Sequence, residues 1–109
     1  MLEALFESDK KEKILFFLLT HGEGYAREIA RTFDFNLHTV QNQLLNLEKH
    51  GVLYSRLKGK VRLFGMNPRY PFKKELAAML RKAMSFLPAA EIKKYYQPRL
   101  RPRRTGKPL

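Results

Sequence analysis

The stretch Tyr25-Ala-Arg-Glu-Ile-Ala-Arg-Thr-Phe-Asp-Phe-Asn-Leu-His-Thr-Val-Gln-Asn-Gln-Leu-Leu-Asn-Leu-Glu-Lys-His-Gly51 carries two helical apolar spacings broken by three residues. Ile29, Ala30 and Phe33 define the buried side of a helix from Tyr25 to about Phe33. Leu37, Val40, Leu44 and Leu47 define that of a second, from Leu37 to about His50. Asp34, Phe35 and Asn36 form the turn between them. Asn36 is placed to cap the second helix, because its side-chain oxygen can accept the free amides of the first turn. Gly51 closes that helix.

The side of the second helix opposite its apolar cluster carries His38, Thr39, Asn42, Asn46 and Lys49. Amides and a hydroxyl with one cation suit hydrogen bonding to flat polar edges, such as base pairs in a major groove, better than salt-bridged solvation. The same composition also occurs on ordinary solvated faces, so this helix taken alone leaves both readings open.

The chain of 109 residues allows one compact core with tails rather than two domains. Apolar residues make up 44% of it, which argues against global disorder. With no cysteine there is neither a disulfide nor a thiolate metal site, and no sign of an oxidising compartment. The longest apolar run, Ile14 to Leu19, is far below the roughly 20 residues that span a bilayer. The acidic start, with Glu3, Glu7 and Asp9, does not resemble a signal peptide. A soluble cytoplasmic protein is expected.

The net charge of +12 is uneven: residues 1–67 hold 10 basic and 8 acidic side chains, residues 68–109 hold 12 and 2. Such a field favours polyanions through counterion release, although solubility or an anionic membrane would also use it.

Leu2, Leu5 and Phe6 make a short apolar stripe without a partner of its own. Ser8 and Asp9 are capping residues for a helix from about Lys10 to Thr20, whose apolar end is too broad for a single buried stripe. It is expected to be the central packing helix. His21 to Gly24 reads as a turn. Val52 to Leu57 and Val61 to Met66 read as the strands of a β-hairpin with Lys58-Gly59-Lys60 at its tip and Arg56 and Arg62 beside it. These cations either follow phosphates next to a groove or simply block edge pairing.

Pro68 and Pro71 end the hairpin. Phe72, Leu76, Met79, Leu80, Ala83 and Phe86 then keep helical spacing to Leu87. This stripe either meets its mate in a homodimer, with Leu2, Leu5 and Phe6 alongside, or folds back on its own domain. We expect the dimer. The domain is therefore drawn as 1–87. Residues 88–109 are read as a short helix followed, from Gln97, by a basic Pro/Arg-rich disordered tail.

The motifs Tyr25-Ala-Arg-Glu-Ile-Ala, Thr39-Val40 with Leu44 and Leu47, Gly51-Val52-Leu53 and the segment Tyr54 to Met66 resemble winged helix-turn-helix regulators. The likeness is strongest to the arsenical-resistance-repressor-like (ArsR-like) regulators of bacteria and archaea, and covers roughly residues 7–87. It implies a mainly α fold with a small β-hairpin, and a homodimer that presents two recognition helices to double-stranded DNA, most often as a repressor.

The expected base contacts are His38, Thr39, Gln41, Asn42 and Asn46. The expected backbone contacts are Arg27, Gln43, Lys49, Arg56, Lys58, Lys60 and Arg62. Many such regulators sense metals through cysteines. This chain has none, and His21, His38 and His50 show no ligand spacing, so neither metal nor cofactor is expected. Without a Gly-rich phosphate loop or a Ser, His and acid set, catalysis is not expected either. The competing function class is a protein or RNA interaction module using the same fold and the basic tail.

Overall fold

The computed structural model describes residues 1–97. Its elements are α1 (Glu3–Phe6), α2 (Asp9–His21), β1 (Glu23–Tyr25), α3 (Ala26–Phe33), α4 (Leu37–Lys49), β2 (Leu53–Lys58), β3 (Val61–Met66), α5 (Lys73–Met84) and α6 (Ala89–Glu91). A π-helical turn, Ile92–Tyr96, continues α6.

Helix α2 starts at Ser8, whose hydroxyl accepts the Lys11 amide at 3.1 Å. Its residues Ile14, Leu15, Phe16, Phe17 and Leu18 are all buried, although they are consecutive and point around the whole helix. A helix apolar on all sides must be covered on all sides. Helices α4 and α5, strands β1 and β3 and the 92–96 turn supply that cover.

Strand β1 was not expected. Glu23 and Gly24, read as part of a turn, and Tyr25, read as the start of a helix, pair antiparallel with β3, Glu23 opposite Gly65 and Tyr25 opposite Leu63, which gives a three-stranded sheet of order β1-β3-β2. Gly24 permits it: a Cβ there would lie 2.8 Å from the buried Phe17 ring. Two residues between Lys58 and Val61 close the hairpin, with Gly59 at φ +64° as a tight antiparallel turn requires.

The turn between α3 and α4 places Asp34 in the left-handed region, at φ 58°. Its short polar side chain tolerates that conformation. Asn36 then caps α4 as its sequence position implied, its Oδ1 accepting the Thr39 amide at 3.1 Å.

Two expectations are corrected here. Leu80 and Ala83 are buried in the chain's own core, Leu76 is half-buried against it, and Leu2 and Phe6 pack on it as well. Leu80 and Ala83 are therefore withdrawn from the subunit contact, while Leu2, Phe6 and Leu76 keep part of their surface exposed: without α5, one flank of α2 would face water. Of that surface Leu5, Phe72 and Phe86 are exposed at 67%, 61% and 68%, and Met79 is half-exposed.

The domain edge at 87/88 is also crossed by the core. Tyr96 is 2% exposed, edge-on to Phe16 at 5.4 Å and near Phe33 at 5.9 Å, so the segment after Pro88 completes the domain. The basic tail from residue 98 onward lies outside the described residues. Among the described residues no helix is long and apolar enough to cross a membrane.

Candidate nucleic-acid interface

Between α4, the start of α3 and the hairpin runs a groove of about 700 Å³. Helix α4 contributes His38, Gln41, Asn42 and Leu45, the i, i+3, i+4 and i+7 positions of one stripe, with Leu37 at its upper edge. Arg27 enters from the first turn of α3, and Lys60, Arg62, Val61 and Phe64 from the hairpin. Tyr25 and Ala26 complete the lining, in which no described residue is acidic.

The core register aims this stripe outward. Val40, Leu44 and Leu47 are buried and anchor α4 on α2, which turns His38, Gln41 and Asn42 to solvent. The backbone of α4 is capped, so these side chains project from a rigid rod rather than a loop. Concave, cationic and bearing amides, the groove can meet an anionic double strand with its rim and polar base edges with its centre.

The other expected contacts fall in different places. Thr39 and Gln43 are half-buried, and Lys49 is exposed outside the groove. Asn46 is exposed, but its Oδ1 accepts from Lys11 Nζ at 3.3 Å. It lines a second hollow, of about 390 Å³, with Leu5, Phe6 and His50. Lys58 stands exposed at the hairpin tip next to Lys60. Arg62 lines the groove while donating to Ser55 Oγ at 2.9 Å.

Arg56 is committed elsewhere. Its Nε and Nη2 donate to the Glu23 carboxylate at 2.8 and 2.7 Å, and the Tyr54 hydroxyl donates to the same carboxylate. The Arg56 guanidinium, then the Tyr54 hydrogen bond, holds the Glu23 carboxyl down at about 2; the same pairing raises Arg56 and Tyr54. A bidentate partner occupies the face of the guanidinium that a phosphate would use. The backbone contact expected of Arg56 would therefore have to compete with Glu23 for the Nε and Nη2 edge. Nothing in the local sequence signals the pair, because Glu23 and Arg56 are 33 residues apart and meet only once β1 joins the sheet.

A pH dependence follows. The Glu23 carboxyl is depressed below its ordinary value of 4.5, so its contribution to stability is complete above that pH and is lost as pH falls towards 2. Solvent screening at the half-exposed Arg56 limits it to about 1 kcal/mol. Glu23→Gln should be less stable than the parent at pH 7, and the gap should shrink as pH falls from 4.5 towards 2. Urea unfolding of both proteins across that range checks the difference.

Sequence reading missed the apolar part of the lining, Leu45 on α4 and Val61 and Phe64 on the hairpin among it. Leu45 is 53% exposed beside the fully buried Leu44. The available signal was its position seven residues after His38, on the side of the wheel facing away from Val40.

No protein-family model matches the chain, and no curated protein is significantly similar to it. Solved structures do match. YusO from Bacillus subtilis aligns over 85% of this chain and 74% of its own, at 22% identity and a TM-score of 0.60. MepR, a transcription regulator of the Staphylococcus aureus multidrug efflux pump MepA, aligns over 85% and 75%, at 21% identity and 0.59. The adhesin competence repressor AdcR from Streptococcus pyogenes aligns over 84% and 78%, at 16% identity and 0.58.

The fold is a winged helix-turn-helix. Within it α3 and α4 are the helix-turn-helix pair, and the β2–β3 hairpin is the wing. Among the described residues no group of three His, Asp or Glu side chains converges as metal ligands would. His21 stacks on Phe17 at 4.0 Å, His50 bonds the Asn46 carbonyl, and His38 stands in the groove.

Proposed function

We propose that this winged helix is a cytoplasmic transcriptional regulator that binds specific double-stranded DNA as a homodimer, acting as a repressor. Helix α4 enters the major groove and the wing lies on the flanking phosphates. One observation carries the reading: the His38, Gln41, Asn42 stripe is exposed in a groove rimmed by Arg27, Lys60 and Arg62, with no acid lining it among the described residues. The names of MepR and AdcR, a transcription regulator and a repressor, support the same direction. The ArsR-like affiliation rests on the sequence motifs alone.

In this reading His38, Gln41 and Asn42 carry base contacts, with Asn42 able to pair bidentately with adenine. Thr39 and Asn46 sit at the margin, Asn46 beside Lys11. Arg27, Lys58, Lys60 and Arg62 hold phosphates, with Lys49 and Gln43 at the periphery. Asn42→Ala should weaken a preferred duplex by about 1–3 kcal/mol and leave a random duplex nearly unchanged. Lys58→Ala combined with Lys60→Ala should weaken every duplex and reduce the salt slope by about two ion equivalents. Affinity titrations on both duplexes at several salt concentrations separate the two outcomes. Equal losses for Asn42→Ala on both duplexes would contradict base reading.

The homodimer is proposed through the apolar surface left at Leu5, Phe72, Met79 and Phe86. Phe72→Glu with Phe86→Glu should shift the sedimentation coefficient from dimer to monomer while the fold persists, since both side chains are exposed. A salt-dependent gel shift against duplex DNA and double- and single-stranded RNA tests the competing interaction-module class. A major-groove reader prefers DNA, because A-form RNA hides its base edges in a deep, narrow groove.

A further inference from the structure

Leu45 closes the C-terminal end of the exposed α4 stripe, in a groove whose lining also includes the apolar Leu37, Val61 and Phe64. Along the α4 stripe it follows His38, Gln41 and Asn42, and across the groove lie Val61 and Phe64 of the wing. Its neighbour Leu44 is fully buried, so the core has no use for the Leu45 side chain, and 53% of it faces solvent. A lone exposed leucine is unremarkable. This one shares a helix face with His38, Gln41 and Asn42 and lines the same groove as Arg27, Lys60 and Arg62.

The charge of that rim selects the occupant. Three cations, with no lining acid among the described residues, favour a polyanion over an apolar peptide, and the polyanion whose groove edge carries exposed methyl groups is double-stranded DNA. Only thymine presents a methyl group there, and apolar side chains read it by contact.

We infer that Leu45 is a specificity-determining residue that packs on the 5-methyl group of a thymine in the major groove, next to the base pair read by Asn42. Amide contacts select adenine from its N6 and N7 edge. The leucine adds a contact that neither cytosine nor uracil can supply. The site is therefore an A/T-containing element in which thymine counts for its methyl group as well as its pairing. The inference rests on the DNA reading of the same groove, and the experiment is arranged so that the two can fail separately.

The full chain first selects its preferred duplex from a random library. Each thymine of that duplex is then replaced singly by deoxyuridine, which removes one methyl group and leaves the hydrogen-bonding edge intact. Binding is followed by fluorescence anisotropy at fixed salt. The wild-type protein should lose about fourfold in affinity at one thymine position of the half-site, the worth of one buried methyl group. Leu45→Ala should bind thymine and uracil equally at that position and keep the other preferences, while Leu45→Met should restore the discrimination. Because Leu45 is exposed, circular dichroism melts of both variants should match the parent.

Wild-type indifference to every thymine-to-uracil exchange overturns the inference. So does methyl discrimination that survives Leu45→Ala. In either case the DNA reading stands if Asn42→Ala still weakens the selected duplex. If the library yields no preferred sequence, the DNA reading falls, and the Leu45 inference falls with it.

Discussion

Replacing Tyr96 by Ala should lower the free energy of unfolding by about 3–5 kcal/mol, the loss expected for truncating an aromatic side chain in a packed core. The residue lies twelve positions beyond the end of α5, yet it is 2% exposed and packs edge-on against Phe16 in the central helix. Around it Phe33 stacks between Phe35 and Tyr95, with centroids at 5.3 and 5.1 Å, and Lys10 and Lys13 lie over the Phe35 ring. The segment after Pro88 thus ties the start of α2 to the turn between α3 and α4.

The Tyr96 hydroxyl is buried without a hydrogen-bond partner among the described residues, and burial pushes its phenol well above the usual tyrosine range. Tyr96→Phe removes that cost and keeps the ring, so it should be at least as stable as the parent. Urea unfolding of both variants checks the pair. A Tyr96→Ala protein as stable as the parent would return residues 88–97 to the status of a tail.

The two adjacent leucines of α4 should behave oppositely. Leu44→Ala should destabilise by about 2–5 kcal/mol, because Leu44 is fully buried among the side chains that anchor α4 to α2. Leu45→Ala should change stability by less than about 0.5 kcal/mol, since the side chain already faces water. One residue of rotation, about 100° around the helix, separates core from surface. If thermal melts of the two variants moved together, the register of α4 would be wrong, and with it the direction in which His38, Gln41 and Asn42 point.

That register was legible because a helix pressed on one side repeats every 3.6 residues, and Val40, Leu44 and Leu47 keep the repeat without interruption. The Asn36 cap and the Ser8 cap were legible for a similar reason: each depends on a side chain and an amide three residues apart, both inside one short window. The hairpin from β2 to β3 is local as well, closed by two residues with glycine where positive φ is needed. The all-round apolar character of residues 14–18 announced α2 as the helix that everything else covers.

Contacts between distant residues were decided by the tertiary structure. Three residues, Glu23–Tyr25, are too short a strand to announce themselves, and they become one only because β3 offers a free edge. That pairing brings Glu23 to Arg56 and occupies the Nε and Nη2 edge of the guanidinium. An amphipathic stripe says that α5 must cover something, but not whether the surface belongs to its own chain or to a second copy. Leu80 and Ala83 take the flank of α2 for the first role.

Sequence alone therefore located the main helices to within a turn and the apolar side of each, since those depend on neighbours within a turn or two of chain; Tyr25, read as helical, and the ends of α5, read as Pro71 and Leu87, were moved by the fold. Which apolar side meets which, which cations remain free, and how Leu45 comes to face the wing depend on closing long loops. No local spacing encodes the outcome of that closure.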